Sequence, residues 1–284
     1  LTEIEDSVAL MSPVYYPFAN AIRDTSRTLV DVPLVKDENG YYTMDLENFE
    51  ATVQKKDVKL FILCSPHNPV GRVWREEELR NLLDVCRRNG VYVIADEIHH
   101  DLIMPGHRQI TAAATGDYDS ILITLTSASK TFNLASCQNA MAIIPNDALR
   151  AKYDAMTRRI KTQSGSSFGY VAYEAAFRGG KEWLEQAIRL VYGNYQILVK
   201  GLKQKLPEAV VSPLEGTYLA WVDLNAYLSE RDTERTIRDV CNLAVDFGEW
   251  FGRNKYENFI RVNLATSPDN VRQIVARLDR INTL

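Results

Sequence analysis

Apolar and polar positions alternate along this chain with two different periods, and the changes of period mark where strands give way to helices. Residues 58–64 form an apolar run interrupted only by Lys59, and the turn formers Ser65-Pro66-His67-Asn68-Pro69 follow it. That pattern predicts a strand buried on both faces. Between 76 and 89, Leu79, Leu82, Leu83 and Cys86 recur at helical spacing, with glutamates at the start, Arg87 and Arg88 at the end and Gly90 beyond. Acids first and bases last suit the helix dipole, so a helix is predicted there. Strands are also predicted at 8–11, 91–98, 121–126 and 139–144, the first led into by opening residues that read as helical. Alternation of this kind argues for a parallel sheet with right-handed crossovers.

After Pro145 the pattern turns helical, with helices predicted over 147–161, 170–178 and 183–205, the last ending before Pro207. Strands follow at 209–211, 218–223 and 259–264, with helices at 233–242 and 269–281. The expectation is an α/β protein: a large domain over 1–205 and a small C-terminal α+β domain over 206–284. Ligands in such sheets bind beyond the carboxyl ends of the strands, so the loops 65–71, 96–101 and 127–130 are expected to meet at one crevice.

Composition narrows the field. With 284 residues, 46% of them hydrophobic, the chain can bury a sizeable core. No apolar stretch approaches the length of a membrane span and none at the start reads as a signal peptide, so a soluble, cytoplasmic protein is expected. The first residue is Leu1 rather than Met, and the beginning of the protein is expected to be missing. Cys64, Cys86, Cys137 and Cys241 are scattered, with no pair spaced for zinc or a disulfide framework. Lys and Arg number 33 against 37 Asp and Glu, giving a net charge of -4. No basic run forms the stripe that nucleic-acid binding requires, so neither nucleic acid nor membrane is an expected partner.

Three of the predicted strand ends carry side chains whose chemistry fits together. Lys130, in Ser127-Ala128-Ser129-Lys130-Thr131-Phe132-Asn133, follows the strand 121–126. An amine screened from water there is suited to attack an aldehyde and later to move a proton at carbon. Asp96 comes directly after Val93-Ile94-Ala95, where a carboxylate is costly unless it faces a cation such as a protonated pyridine nitrogen. Asn68, in the turn after 58–64, can donate to an anionic oxygen. Singly, each has an ordinary explanation: a solvated lysine, a capping aspartate, an Asn-Pro turn. Their spacing sets them apart, because each lies one strand–helix unit from the next, at the same edge of the sheet. An amine, a carboxylate and an amide so placed are what a pyridoxal 5'-phosphate (PLP) electron sink requires.

In this order, Ser65-Pro66-His67-Asn68-Pro69-Val70-Gly71, Ala95-Asp96-Glu97-Ile98-His99 and Ser127-Ala128-Ser129-Lys130-Thr131-Phe132-Asn133 resemble the asparagine, aspartate and lysine motifs of the fold-type I PLP enzymes, the aminotransferase class I/II family. The similarity covers essentially the whole chain. Gly71-Arg72-Val73-Trp74, the histidine His99 after Asp-Glu-Ile, and Lys130-Thr131-Phe132-Asn133 lean toward its cystathionine β-lyase and cysteine C–S lyase branch. The resemblance implies a PLP-transferase-like, mostly parallel sheet with helices on both faces beside the small domain. It implies PLP held on Lys130 as a Schiff base, Asp96 at the pyridine nitrogen, and Asn68 at the phenolate oxygen with His99 nearby. Tyr15, in Ser12-Pro13-Val14-Tyr15-Tyr16, matches the aromatic stacked on the ring, and Ser127 matches a hydroxyl donor to the phosphate.

Arg261, inside the apolar stretch 258–264, needs an anionic partner there and matches the arginine that grips a substrate α-carboxylate. A cis Asn68–Pro69 peptide and a homodimer with sites at the subunit boundary are implied as well. The implied reaction is cleavage of cystathionine or a related cysteine thioether to thiol, pyruvate and ammonia. Amino transfer on small amino acids uses the same residues and stays open, as does an inactive PLP-fold module.

Two departures stand against the family pattern. Gln138 occupies the position eight residues past Lys130 where many aminotransferases carry an arginine to the phosphate. The family's earlier segment, with its glycine-containing phosphate loop, has no counterpart before Leu1. Two competing patterns are weaker. Ser127-Ala128-Ser129-Lys130 also satisfies the S-x-x-K spacing of penicillin-binding enzymes, but no Lys-Thr-Gly strand or Ser-Asp-Asn loop accompanies it. Asp96, His99, His100 and Asp101 could be imagined around a metal, yet there is no H-E-x-x-H and no metal is expected.

Overall fold

The computed structural model describes residues 1–283. The first part of the chain runs through β1 (Ser7–Leu10), α1 (Pro17–Asp24), β2 (Thr28–Asp31), a hairpin of β3 (Val35–Lys36) and β4 (Tyr42–Thr43), and α2 (Leu46–Lys55). It continues with β5 (Val58–Cys64), α3 (Glu76–Arg88), β6 (Tyr92–Asp96), β7 (Leu122–Thr126), the single turn α4 (Ala128–Thr131) and β8 (Met141–Ile143). Six of these strands form one sheet in the order β2-β1-β5-β6-β7-β8. All neighbours are parallel except β8, which runs antiparallel to β7. The mostly parallel α/β sheet expected from the pattern is therefore present.

Strand periodicity decides what lies on each face. Ala9, Phe61, Leu63, Val93 and Ala95 point to one side and share a core with Phe49 and Val53 of α2 and with Leu79, Leu82 and Leu83 of α3. Val8, Leu10 and Leu60 point to the other, against Ile22 of α1, and Ile123 meets Leu149, in the helix that follows β8, on that side. Both faces are covered, which is why β5 and β6 read as nearly continuous apolar runs. In α3 the Arg75 amide donates to Glu78 Oε2 at 2.8 Å, closing the first turn that its acidic start announces.

Three helices follow, α5 (Asp147–Ile160), α6 (Ser167–Gly179) and α7 (Lys181–Lys205). The remainder comprises β9 (Val210–Val211), β10 (Leu219–Asp223), α8 (Asn225–Leu228), α9 (Thr233–Arg235), β11 (Asp246–Phe247), β12 (Phe259–Asn263) and α10 (Pro268–Leu278). The strands form a second, antiparallel sheet in the order β11-β12-β10-β9. Its core of Ala220, Val222, Ile260 and Val262 is closed by Val271 and Leu278 of α10 and by Leu198 and Leu202 of α7. Among the described residues, no helix is long and apolar enough to cross a membrane.

Two expectations are corrected. The opening residues are a turn rather than a helix: Glu5 has φ of 71° and its amide donates to the Ser26 carbonyl, so the chain is already aligned beside β2. Over 233–242 a regular helix does not form. α9 stops after one turn and widens into a π-turn over Thr236–Val240, where the Cys241 amide reaches back to Thr236.

Candidate functional site

Cys64, Asp96 and Leu125 stand in register at the carboxyl edge of β5, β6 and β7. The loops that leave this edge bring Asn68, Asp96, His99 and Lys130 into the wall of one cavity of about 250 Å³, which Tyr15 and Arg261 also line. Lys130 borders a second cavity of about 390 Å³ as well, shared with Trp183, Leu190 and Tyr218. Six of the seven residues singled out from sequence thus meet at one place.

The turn that carries Lys130 is held at both ends. Ser127 caps it, its Oγ accepting from the Ser129 amide at 3.0 Å while donating to the Asn139 carbonyl at 2.8 Å. At the other end the Thr131 hydroxyl donates to Asp101 Oδ2 at 2.9 Å, and His100 Nε2 lies 3.2 Å from the same oxygen. Ser127 is the one candidate that does not line the cavity; its buried hydroxyl is engaged within the protein, also against Tyr173.

Asp96 ends β6, with Oδ1 accepting from the Ile98 amide at 3.1 Å. Burial pushes its carboxyl up from the ordinary carboxylate value, opposed by the Ile98 amide and then by the Lys130 ammonium. A carboxylate in that condition gains from any cation placed beside it. His99 is buried, and burial followed by the charges of Lys130 and Arg261 brings its pKa down to about 3. The ring is therefore neutral at pH 7, with Nδ1 among the buried atoms that lack a hydrogen-bond partner. Tyr218 closes the wall beside it, ring centroids 5.6 Å apart. Tyr15 is half-buried, edge-on to Phe18 at 5.5 Å, and burial followed by Tyr16 raises its phenol pKa.

Asn68 leaves β5 through a turn whose Asn68–Pro69 peptide is cis, as are Ser12–Pro13 and Ser65–Pro66. Its Oδ1 accepts from Arg261 Nη1 at 2.8 Å. Since a guanidinium can only donate, this contact fixes which way the Asn68 amide faces and leaves its NH2 group to other partners. Arg261 also donates to Asp246 Oδ2 from Nε at 3.0 Å and from Nη2 at 2.5 Å, and its guanidinium lies 4.8 Å from the centre of the Phe251 ring.

Asp246, Tyr218, Cys64 and Asn263 line the same cavity and were not singled out from sequence. A signal for Asp246 existed: a lone acid between Val245 and Phe247 is a natural partner for a guanidinium inside an apolar strand. The arrangement as a whole offers an amine, a desolvated carboxylate, a neutral imidazole, an amide donor and a guanidinium around a space the size of a small molecule.

Comparison with known proteins identifies the family and the fold. The model of the family "Aminotransferase class I and II" matches residues 1–278. The chain is 35% identical over 283 residues to cystathionine beta-lyase PatB of Bacillus subtilis (strain 168), covering 98% of this chain and 73% of the relative. It is 31% identical over 281 residues to protein MalY of Escherichia coli (strain K12), covering 98% of this chain and 70% of the relative. Among solved structures it is similar to cystalysin from Treponema denticola, described as containing a pyridoxal 5'-phosphate cofactor. That match has a TM-score of 0.93 and 32% identity, over 99% of this chain and 72% of the other. Motif order, sheet topology and the family match converge on one assignment, and the chain belongs to the aminotransferase class I and II family.

Proposed function

We propose that this chain is a PLP-dependent C–S β-lyase that releases thiol, pyruvate and ammonia from cystathionine or a related cysteine thioether. The observation that carries the reading is the meeting of Lys130, Asp96, Asn68 and Arg261 in one cavity, supported by relatives that include a cystathionine beta-lyase. The residues present fit the cofactor. His99 offers a buried ring nitrogen without a partner, Asn68 has an amide whose oxygen is already committed, and burial leaves Asp96 in want of a cation.

In this reading Lys130 would hold PLP through Nζ, with Asp96 toward the ring nitrogen, Asn68 and His99 toward the ring oxygen, and Tyr15 against the ring. When bound, PLP supplies an electron sink for the pair left at the substrate Cα. Arg261 binds the substrate carboxylate and so fixes which bond at Cα is presented. Lys130, once its amine is free, takes the Cα proton as general base. The next bond to break is Cβ–S; the departing thiolate takes up a proton, and the unsaturated amino acid left behind is hydrolysed by water to pyruvate and ammonia. Asp96, poorly solvated, would keep a proton on the cofactor's ring nitrogen, because an ion pair is worth most where water is scarce. Ser127 is assigned to the phosphate; its single O–H now serves the Asn139 carbonyl, so that role requires the hydroxyl to exchange partners. A homodimer, a cytoplasmic location and a division at 205/206 belong to the same proposal.

The test is to supply the purified protein with PLP and cystathionine and to measure pyruvate and thiol beside keto-acid-dependent amino transfer. Pyruvate and thiol in equal amounts are expected, and Lys130→Ala should lose both along with the cofactor's visible absorbance band. Amino transfer without pyruvate would replace the lyase reading by that of an aminotransferase.

A further inference from the structure

The Arg261 guanidinium is held on three sides before any ligand arrives. Asp246 takes Nε and Nη2, Asn68 takes one N–H of Nη1, and Phe251 lies under the plane. The Asp246 contact is built into the sheet, since Asp246 and Arg261 are directly opposed in the β11–β12 register. β11 consists of Asp246 and Phe247 alone, so half of its residues serve this pairing. Opposed residues on antiparallel strands stand close enough for their side chains to interact without any help from loops.

The donor arithmetic favours a positioning role over a simple ion pair. A guanidinium has five N–H donors, and the three bonds to Asp246 and Asn68 leave two. Asp246 spends one carboxylate oxygen on the side of the fork that carries Nε, which leaves Nη1 and Nη2 with one donor each. Two donors on neighbouring nitrogens are what bidentate recognition of a planar carboxylate uses. Arg261 is nearly buried, its side chain 11% exposed, whereas that of Asp246 is 34% exposed, and both line the cavity. The pair therefore sits at the ligand space rather than in a sealed core.

We infer that Asp246 is a positioning residue for the substrate carboxylate: it holds the Arg261 fork in the one orientation that leaves two donors for the ligand and a third for Asn68. The inference rests on the proposed role of Arg261, and it adds a residue that no motif marks. Removing the carboxylate would let Arg261 turn about its long stem, so ligand binding would have to order it again. The Asn68 amide would lose its fixed orientation at the same time.

The experiment separates this from both a structural and a competing role. Affinity for two probes is measured by calorimetry on the PLP-loaded protein: 3-(methylthio)propionate, which has the carboxylate without the α-amine, and 2-(methylthio)ethylamine, which has the amine without the carboxylate. Asp246→Ala should weaken the carboxylate probe roughly tenfold, Asp246→Asn, which keeps an acceptor oxygen, by less, and neither should move the amine probe. With S-methylcysteine the loss should fall on KM more than on kcat. Equal loss of both probes would mean a structural role and overturn the inference. Unchanged or tighter binding of the carboxylate probe in Asp246→Ala would overturn it too, showing that Asp246 competes with the ligand. Failure of the wild type to cleave S-methylcysteine would count against the lyase reading alone, because the probe affinities need no turnover.

Discussion

At the scale of single residues, two buried histidines make stability depend on pH. Burial lowers the pKa of His67 to about 4 and that of His99 to about 3. In the unfolded chain both titrate near 6.5. Between these limits the unfolded state binds the extra proton, so the stabilisation is complete above about pH 6.5 and is lost as pH falls toward 4 and 3. At pH 5 each histidine should have cost about 2 kcal/mol, at 1.36 kcal/mol per pKa unit. Urea unfolding of the cofactor-free protein at pH 7 and pH 5 should show a loss of roughly 4 kcal/mol for the pair. His67→Asn should halve that pH dependence whatever it does to stability at pH 7, and an unaltered slope would refute the attribution. His67 shows the limit of residue-level reading. It stands in the asparagine motif, yet it is a core ring, bonded through Nε2 to the Pro13 carbonyl at 2.9 Å and edge-on to Trp74. The chemistry of Lys130, Asp96 and Asn68 was legible because spacing along βα units fixes the sheet edge they share. Asp246 carried only the signal of a lone acid between apolar neighbours, because its meaning depends on which residue stands across from it.

At the scale of elements, legibility followed length and burial. β5, α3 and β7 were recognised from apolar period, and α5 and α7 end within two residues of the expected bounds at their C-termini. The region 12–57 gave no comparable signal: α1 buries only Ile22, and β3 and β4 are two residues each. β11 is shorter than any period can reveal, although it supplies Asp246 to the site. α4 is a different case, a single turn that cannot persist by propagation and depends on its ends. Ser127→Ala should therefore remove a cap and destabilise the protein by about 1 kcal/mol, read as a lower urea midpoint with unchanged slope. Tyr173 still donates to the Asn139 carbonyl, so that acceptor is not abandoned. If Ser127 also serves the phosphate, the variant should lose PLP on dialysis faster than the stability change accounts for; equal retention would leave it a cap alone.

At the scale of the whole molecule, the site needs the second sheet, which bears Arg261 and Asp246, to be fixed against the first, which bears Asp96 and Lys130. The tie lies at Gly71-Arg72. The Glu215 and Gly216 amides both donate to the Gly71 carbonyl, at 2.9 and 3.0 Å, and Met104 and Leu102 bond the same segment from the other side. Gly71 has φ of 74°, and a Cβ there would meet Leu214 and the Pro213 carbonyl at 3.2 Å, so no other residue fits easily. Arg72 is 1% exposed and donates to Glu215 Oε2 at 2.9 Å, to Glu78 and to the Tyr42 carbonyl, with the Tyr41 and Trp74 rings at 4.2 and 4.6 Å. A tripod of this kind uses the planar fork of arginine, and a lysine cannot reproduce it. Arg72→Met removes the cation but leaves Glu215 and Glu78 partly buried, and breaking such a pair on one side costs roughly 3–5 kcal/mol. Replacing Glu215 with Gln in the same protein relieves one of those charges. The double variant should thus be less destabilised than the sum of the single ones, by about 1 kcal/mol or more in a urea denaturation cycle. Strict additivity would mean that the Arg72–Glu215 bond plays no part in setting the distance between the carboxylate grip and the lysine, and that the backbone bonds at Gly71 and packing hold the two sheets together without it.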